Sequence, residues 1–347
     1  MSFHHDNHYV PCLYLKRFAS SPGKILAYRI LVPDARVPLW KPASIKGVAY
    51  HTHLYTRMGS GGESDEIERW LNTEFESPAE EALSKVEQDA RLSPYEWKTL
   101  VNFVAAQDVR TPARLAEHLR RWDETVPRIL EETLKESVSR LETATKLGQV
   151  VSTTRTTNAE YIPLRVIKGI APGQEFGTVK AEVVVGRGLW FQSMRTILAK
   201  VGMLHAHRWT ILRAPDGLNW FTSDDPVVRL NYSSEGTYDF QGRWGSPGTE
   251  IFLPLSPRHL LYTKVGAQPP RRGDVVPRPQ AEMIGRMIAA HAHRFIFAAS
   301  PEPSVSGLRP RAVDASRFRY ENEKWRRWHE EQTVAEQSLT AFRDGAA

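Results

Sequence analysis

The tetrapeptide Ser93-Pro94-Tyr95-Glu96 constrains the fold more than any other stretch, because each of its residues suits the opening turn of a helix. The serine can cap, proline is tolerated at the first helical position, and the glutamate closes a capping box. Trp97, Leu100, Val101 and Val104 then form one apolar stripe at helical spacing. Gln107 and Arg110 extend that stripe, so two polar side chains continue a buried face toward its C-terminal end. Thr111-Pro112 marks either a second helix start or a kink, running on through Leu115, Leu119, Trp122 and Val126. A break there leaves two alternatives. Gln107 and Arg110 lie beside a cleft, or they are core groups, the glutamine bonded to backbone and the arginine paired with a carboxylate.

This helix sits in a longer helical block, about 64–148, where Ile67, Trp70, Leu71 and Phe75 also fall at helical spacing. Before it, the chain alternates short strand-like runs with turns: Lys24 to Ile30 follows Pro22-Gly23, and Leu54-Tyr55 precedes Gly59-Ser60-Gly61-Gly62. After it, the threonine-rich 150–158 reads as a loop. A strand-rich subregion, about 160–300, follows. It is expected to hold a helix over 188–205, strands over 207–212, 218–222, 250–253 and 259–265, a helix over 280–291 and a buried strand over 295–298. A basic amphipathic helix over 314–342 ends the chain. With no internal repeat, the expected class is α+β: one catalytic domain, 1–347, whose strand-rich core carries an inserted helical block and a C-terminal helix.

A chain of 347 residues with 41% hydrophobic content can bury one large core or two modest ones. No run approaches the roughly 18 to 20 apolar residues that span a bilayer, and Met1-Ser2-Phe3-His4-His5 lacks a signal peptide's apolar core, so no membrane partner and a cytoplasmic location are expected. The lone Cys12, between Pro11 and Leu13, reads as a small buried apolar residue. The formal charge of +6 and pI of about 9.3 favour an anionic partner such as nucleic acid. Arg110, Arg114, Arg120, Arg121 and Arg128 recur across one helical region, Arg271, Arg272 and Arg278 fall in a proline-rich loop, and Lys324, Arg326 and Arg327 lie around Trp325 and Trp328. Basic residues interleaved with aromatics suit phosphate contact plus base stacking, which makes Arg114, Arg121, Arg271, Arg272, Lys324 and Arg326 candidate nucleic-acid contacts. The alternative is solvated helix faces partly neutralised by Glu117, Asp123, Glu124, Glu131 and Glu132.

The chemistry points to Ser223-Asp224-Asp225-Pro226, at the end of the aromatic run Leu218-Asn219-Trp220-Phe221-Thr222. Asp225 precedes proline and is biased toward extended geometry. Adjacent residues of an extended segment point opposite ways, so one aspartate faces a site while the other supports the turn. Asp224 is the favoured active carboxylate, oriented by Thr222 and Ser223. An Asx-turn that merely stops a strand is the structural alternative. Near the N-terminus, Asn7-His8-Tyr9-Val10-Pro11 offers an imidazole and a phenol on what looks like a docked segment. Three His-x-His pairs occur, His51/His53, His205/His207 and His291/His293. None is accompanied by HExxH, paired CxxC or an acid-rich cluster, and GxxxxGK[ST], a GxGxxG between strand and helix, and Gly-x-Ser-x-Gly are also missing, so no metal and no cofactor are expected.

Four blocks together resemble the bacterial domain-of-unknown-function family 4238. They are Asn7-His8-Tyr9-Val10-Pro11 with Leu13-Tyr14-Leu15-Lys16-Arg17-Phe18, Gln107-Asp108-Val109-Arg110-Thr111-Pro112, Phe221-Thr222-Ser223-Asp224-Asp225-Pro226, and Leu253-Pro254-Leu255-Ser256-Pro257. Cys12 stands where the family often has glutamine, and Asp225 where it often has asparagine. The resemblance implies that His8, Gln107, Arg110 and Asp224 converge in one pocket. Proteins of this general type are associated with phage defence, and the chain is similar to the Brig-type defence DNA glycosylases. The leading expectation is therefore a metal-independent DNA glycosylase acting on phage DNA, including modified bases. In it Asp224, with Asp225 beside it, stabilises the sugar cation and activates water, and His8 protonates the leaving base. Gln107 reads the base edge, Trp220 or Phe221 stacks on the base, Arg110 and Arg114 hold phosphates, and Asn7, Tyr9 and Ser223 line the pocket. The alternatives are a nuclease or toxin acting on DNA or RNA, assisted by a metal on a His-x-His pair, and a non-catalytic nucleic-acid-binding module.

Overall fold

The computed structural model describes residues 3–59, 62–149, 164–169, 178–234 and 236–345, so the loop expected over 150–158 lies outside the described residues. The class is α+β, with several small sheets, a helical block and a C-terminal helix. Ser93 caps the Pro94–Val109 helix through a complete capping box, Glu96 N donating to Ser93 Oγ at 3.3 Å and Ser93 N to Glu96 Oε2 at 2.7 Å. Loss of such a cap costs about 1 kcal/mol. Thr111-Pro112 is a helix start: the Thr111 hydroxyl accepts from Arg114 N and opens the Pro112–Lys146 helix. Trp190, fully buried on the Arg187–Leu198 helix, donates its indole N–H to the Val109 carbonyl, satisfying a group that the helix end leaves open.

Two antiparallel sheets carry the strand-rich part. The larger has five strands in the order Thr210–Arg213, His259–Lys264, Glu250–Pro254, Val228–Ser234, Thr237–Asp239. The other runs Thr222–Ser223, Phe295–Ala298, Lys24–Arg29, Trp40–Ser44, so strands distant in sequence pair side by side. A further pair joins Asp6–His8 to Tyr50–Thr52 with Asn7 opposite His51.

Two expectations need correction. The strand expected over 218–222 is paired only at Thr222–Ser223. A turn closed by Leu218 N on the Pro215 carbonyl, with Gly217 at φ +72°, leads into Trp220, whose backbone N–H goes to the Pro257 carbonyl and whose indole N–H goes to the Ala281 carbonyl. The aromatic run is thus a buried connector, and burial rather than strand pairing explains its composition. The helix expected over 188–205 is divided into Arg187–Leu198 and Gly202–His205, the break falling before Gly202, a poor residue for a helix interior.

Candidate active site

The register Thr222↔Phe297 and Ser223↔Ile296 sets the acidic turn against the segment that leaves the Arg278–His291 helix. Asp224 N donates to the Phe295 carbonyl at 3.1 Å. Its carboxylate accepts the amide of His293 on Oδ1 at 2.9 Å and that of Arg294 on Oδ2 at 2.8 Å. The side chain is buried, and burial raises its pKa from 3.8 to about 7, against the pull of those amides toward the charged form.

Asp225 meets the opposite balance. Burial pushes its pKa up, but the Arg114 guanidinium beside it and a hydrogen bond from Thr111 Oγ1 at 2.9 Å bring it below the ordinary carboxylate value. Arg114 Nη2 lies 3.8 Å from Asp225 Oδ2, and the same guanidinium meets Asp108 and Glu117. His291 donates Nδ1–H to the Asp225 carbonyl at 2.9 Å, which leaves Nε2 to accept from Arg114 at 3.2 Å, a consistent set for a neutral imidazole. Consecutive aspartates therefore hold opposite protonation tendencies because the extended backbone sends them into different surroundings.

Gln107 and Arg110 are core groups rather than cleft groups. Gln107 Nε2 donates to the Tyr9 carbonyl at 2.8 Å. Arg110 donates to the His8 carbonyl and to Glu76 Oε1, each at 2.5 Å, and both side chains are 1% exposed. Asn7, fully buried, accepts the Tyr55 amide on Oδ1 at 2.9 Å and donates to the His4 carbonyl. These three residues hold the backbone of the N-terminal segment. The His8 ring turns to the Lys46 carbonyl at 3.2 Å and packs on Tyr50, whereas burial, and after it the Asp224 charge, raises the pKa of the Tyr9 phenol.

His51 and His293 belong to the same neighbourhood, although the sequence shows them only as members of His-x-His pairs. The Tyr9 and His51 rings lie 5.4 Å apart, and His51 stacks on Trp325 of the C-terminal Ala315–Gly345 helix at 4.0 Å. Burial lowers the His51 pKa to about 3, with His293 a second cause, and burial lowers that of His293 to about 4, so both imidazoles are neutral at pH 7. Arg294 reaches out of the same turn to Glu321 on the C-terminal helix, at 2.7 and 2.5 Å. The neighbourhood holds a carboxyl whose pKa burial raises to about 7, two neutral imidazoles and a phenol, with Trp325 stacked on His51.

The expected substrate contacts take varied positions. Ser223 Oγ accepts the Asp225 amide at 3.3 Å, and Phe221 is buried in a hydrophobic cluster with Trp220. Arg114 is buried in the ion network already described, which leaves its guanidinium engaged inside the protein. Arg121, Arg271, Arg272, Lys324 and Arg326 are exposed. Arg121 donates to His118, Arg272 to the Ala90 carbonyl while lying over Trp97, and Arg326 to Glu323.

The chain belongs to the family DUF4238, described as a protein of unknown function, whose model matches residues 6–302. No curated protein and no solved structure matches it. The matched region contains the Asn7–Tyr9 segment, His51, Gln107, Arg110, the acidic turn and His293, and it ends before the helix that supplies Trp325. Among the described residues, no helix is long and apolar enough to cross a membrane.

Proposed function

We propose that the protein is a DNA glycosylase that excises a base, the modified bases of phage DNA being the intended substrate class, in cytoplasmic antiviral defence. The observation that carries this reading is the opposed pair: Asp224 with its pKa raised to about 7 and Asp225 with its pKa lowered, on consecutive residues. Two carboxyls whose surroundings push their pKa values apart are suited to acid and charge-stabilising roles in glycosidic cleavage. Asp224 delivers its proton to the departing base as the bond from C1′ to the base nitrogen breaks. Asp225 offsets positive charge on the sugar through space, and Asp224, ionised once it has given up its proton, takes the proton of the water that attacks C1′. The net charge of +6 and the exposed Arg121, Arg271, Lys324 and Arg326 provide an electrostatic footing for a polyanion.

The test is incubation of purified protein with modified phage DNA, followed by measurement of free base and of alkali-labile abasic sites. Base release by the wild type and its loss in Asp224→Asn support the reading. Direct strand breaks without abasic intermediates, or an unchanged abasic count with folded protein, overturn it.

A further inference from the structure

The groups on the far side of the N-terminal segment are of a different kind. His5, His53 and Glu63 bring one ligating atom each within 4.8 Å of one another. His5 Nδ1 and His53 Nε2 lie 3.3 Å apart. Two imidazole nitrogens on one tetrahedral zinc ion, at Zn–N of about 2.0–2.1 Å, are separated by about 3.3 Å. The structure thus holds these nitrogens at the edge length of a zinc tetrahedron.

The surroundings fit ligation as well. His53 Nδ1 lies 3.1 Å from the buried Thr56 hydroxyl. With the proton on Nδ1, that hydroxyl accepts it and the Nε2 lone pair is left toward His5. Glu63 is held from the other side: His329 Nε2 lies 2.7 Å from Glu63 Oε1, and Arg187 donates to His329 Nδ1 at 3.0 Å, which fixes the Nε2–H tautomer and makes His329 the donor to the carboxylate. A ligand carboxylate oriented by an outer hydrogen bond is the usual design of such centres. The Arg187 cation is itself paired with Glu336 at 2.8 Å, which tempers its repulsion of a metal ion. His5 and Glu63 are exposed, giving an ion a path inward, and the His53 and His329 rings stack at 3.9 Å.

We propose that His5, His53 and Glu63 form a binding site for one divalent transition-metal ion of the imidazole-preferring class, zinc above all, with one coordination position left for water. The ion fastens the N-terminal segment to the loop after Tyr50–Thr52 and to the Arg57–Gly59/Gly62–Ser64 hairpin, while His329 extends the link to the C-terminal helix. Its role is to hold in place a segment that, four residues beyond His5, places the Tyr9 carbonyl on Gln107. The ligands offer two nitrogens and one carboxylate, a set that suits zinc better than magnesium or calcium, which favour oxygen.

The experiment is calorimetric titration of zinc chloride into chelator-stripped full-length protein at pH 7.5, repeated with cobalt(II) so that its visible absorption reports tetrahedral nitrogen–oxygen coordination. One equivalent of zinc with micromolar or tighter affinity is expected, together with a zinc-dependent rise in Tm. His53→Ala and Glu63→Gln should each weaken binding at least tenfold and remove the Tm rise, while Asp224→Asn leaves both unchanged. Unfolding curves of the metal-free variants that match the wild type show that the lost affinity is not lost fold. Absence of stoichiometric uptake, or uptake indifferent to both substitutions, overturns the site. Because no DNA enters this measurement, its outcome is independent of the glycosylase reading.

Discussion

Gln107 Nε2 donates to the Tyr9 carbonyl at 2.8 Å, and this bond ties the capped helix that begins at Pro94 to the N-terminal segment. A helix-borne amide is a rigid donor, so it fixes where a segment near the chain end lies.

Gln107→Ala should therefore lower activity by positioning rather than by chemistry. The Tyr9 carbonyl is left buried and unpaired, a loss of about 1–3 kcal/mol in urea unfolding. The pH profile of the remaining activity should keep its wild-type midpoints, since the variant leaves the titrating groups in place. A shifted midpoint would instead assign Gln107 a direct part in the chemistry.

Arg110→Met should destabilise more strongly. Its guanidinium binds Glu76 and the His8 carbonyl from a buried position, so removal strands a poorly solvated carboxylate at about 3–5 kcal/mol. Adding Glu76→Gln to the same chain should restore part of that loss. Equal denaturation midpoints for the single and double variants would show that the unpaired carboxylate is not the source.

These residues also show what one sequence can reveal. The Ser93 box and the Thr111-Pro112 helix start were legible because capping is local, decided within four residues. The unequal surroundings of Asp224 and Asp225 were legible because strand alternation is local too. The stripe ending in Gln107 and Arg110 announced burial but not its partners, since Tyr9 and His8 reach those side chains only through folding. His51 and His293 were visible only as members of His-x-His pairs. Their meeting depends on the pairing of Asn7 with His51 and of Ser223 with Ile296, long-range registers that no local pattern encodes. The partner of the His8 ring was not legible for a related reason: alternation along Asp6–His8 and into Tyr9 sends neighbouring side chains apart, and the sequence does not say which one turns to the Lys46 carbonyl.

Asp225→Asn should change the acid limb of stability. The folded-state pKa of Asp225 is depressed, so its contribution is present above the unfolded carboxylate value near 4 and is lost as pH falls through the folded value. The variant should be less stable than wild type at pH 7, and the gap should narrow as pH drops below about 4. A gap of constant size from pH 7 to pH 3 would mean that the Asp225 charge contributes nothing through Arg114.

Asp224→Asn should show the reverse dependence. The folded protein holds the Asp224 proton up to about pH 7, while the unfolded chain releases it near 3.8. Between those values the native state binds more protons than the unfolded state, so this residue's contribution to wild-type stability falls as pH rises. Asparagine cannot titrate, and it offers only one oxygen to the amides of His293 and Arg294, so the variant loses about 1–3 kcal/mol at low pH. The stability gap between wild type and variant should therefore shrink from pH 5 to pH 8, the opposite of the Asp225 trend. If Asp224 is also the acid that protonates the departing base, wild-type base release should decline above about pH 7, and the variant should be inactive across the range. A gap unchanged between pH 5 and pH 8 would mean that Asp224 is ionised throughout, and the proton it is assigned in the reaction would have to come from another group.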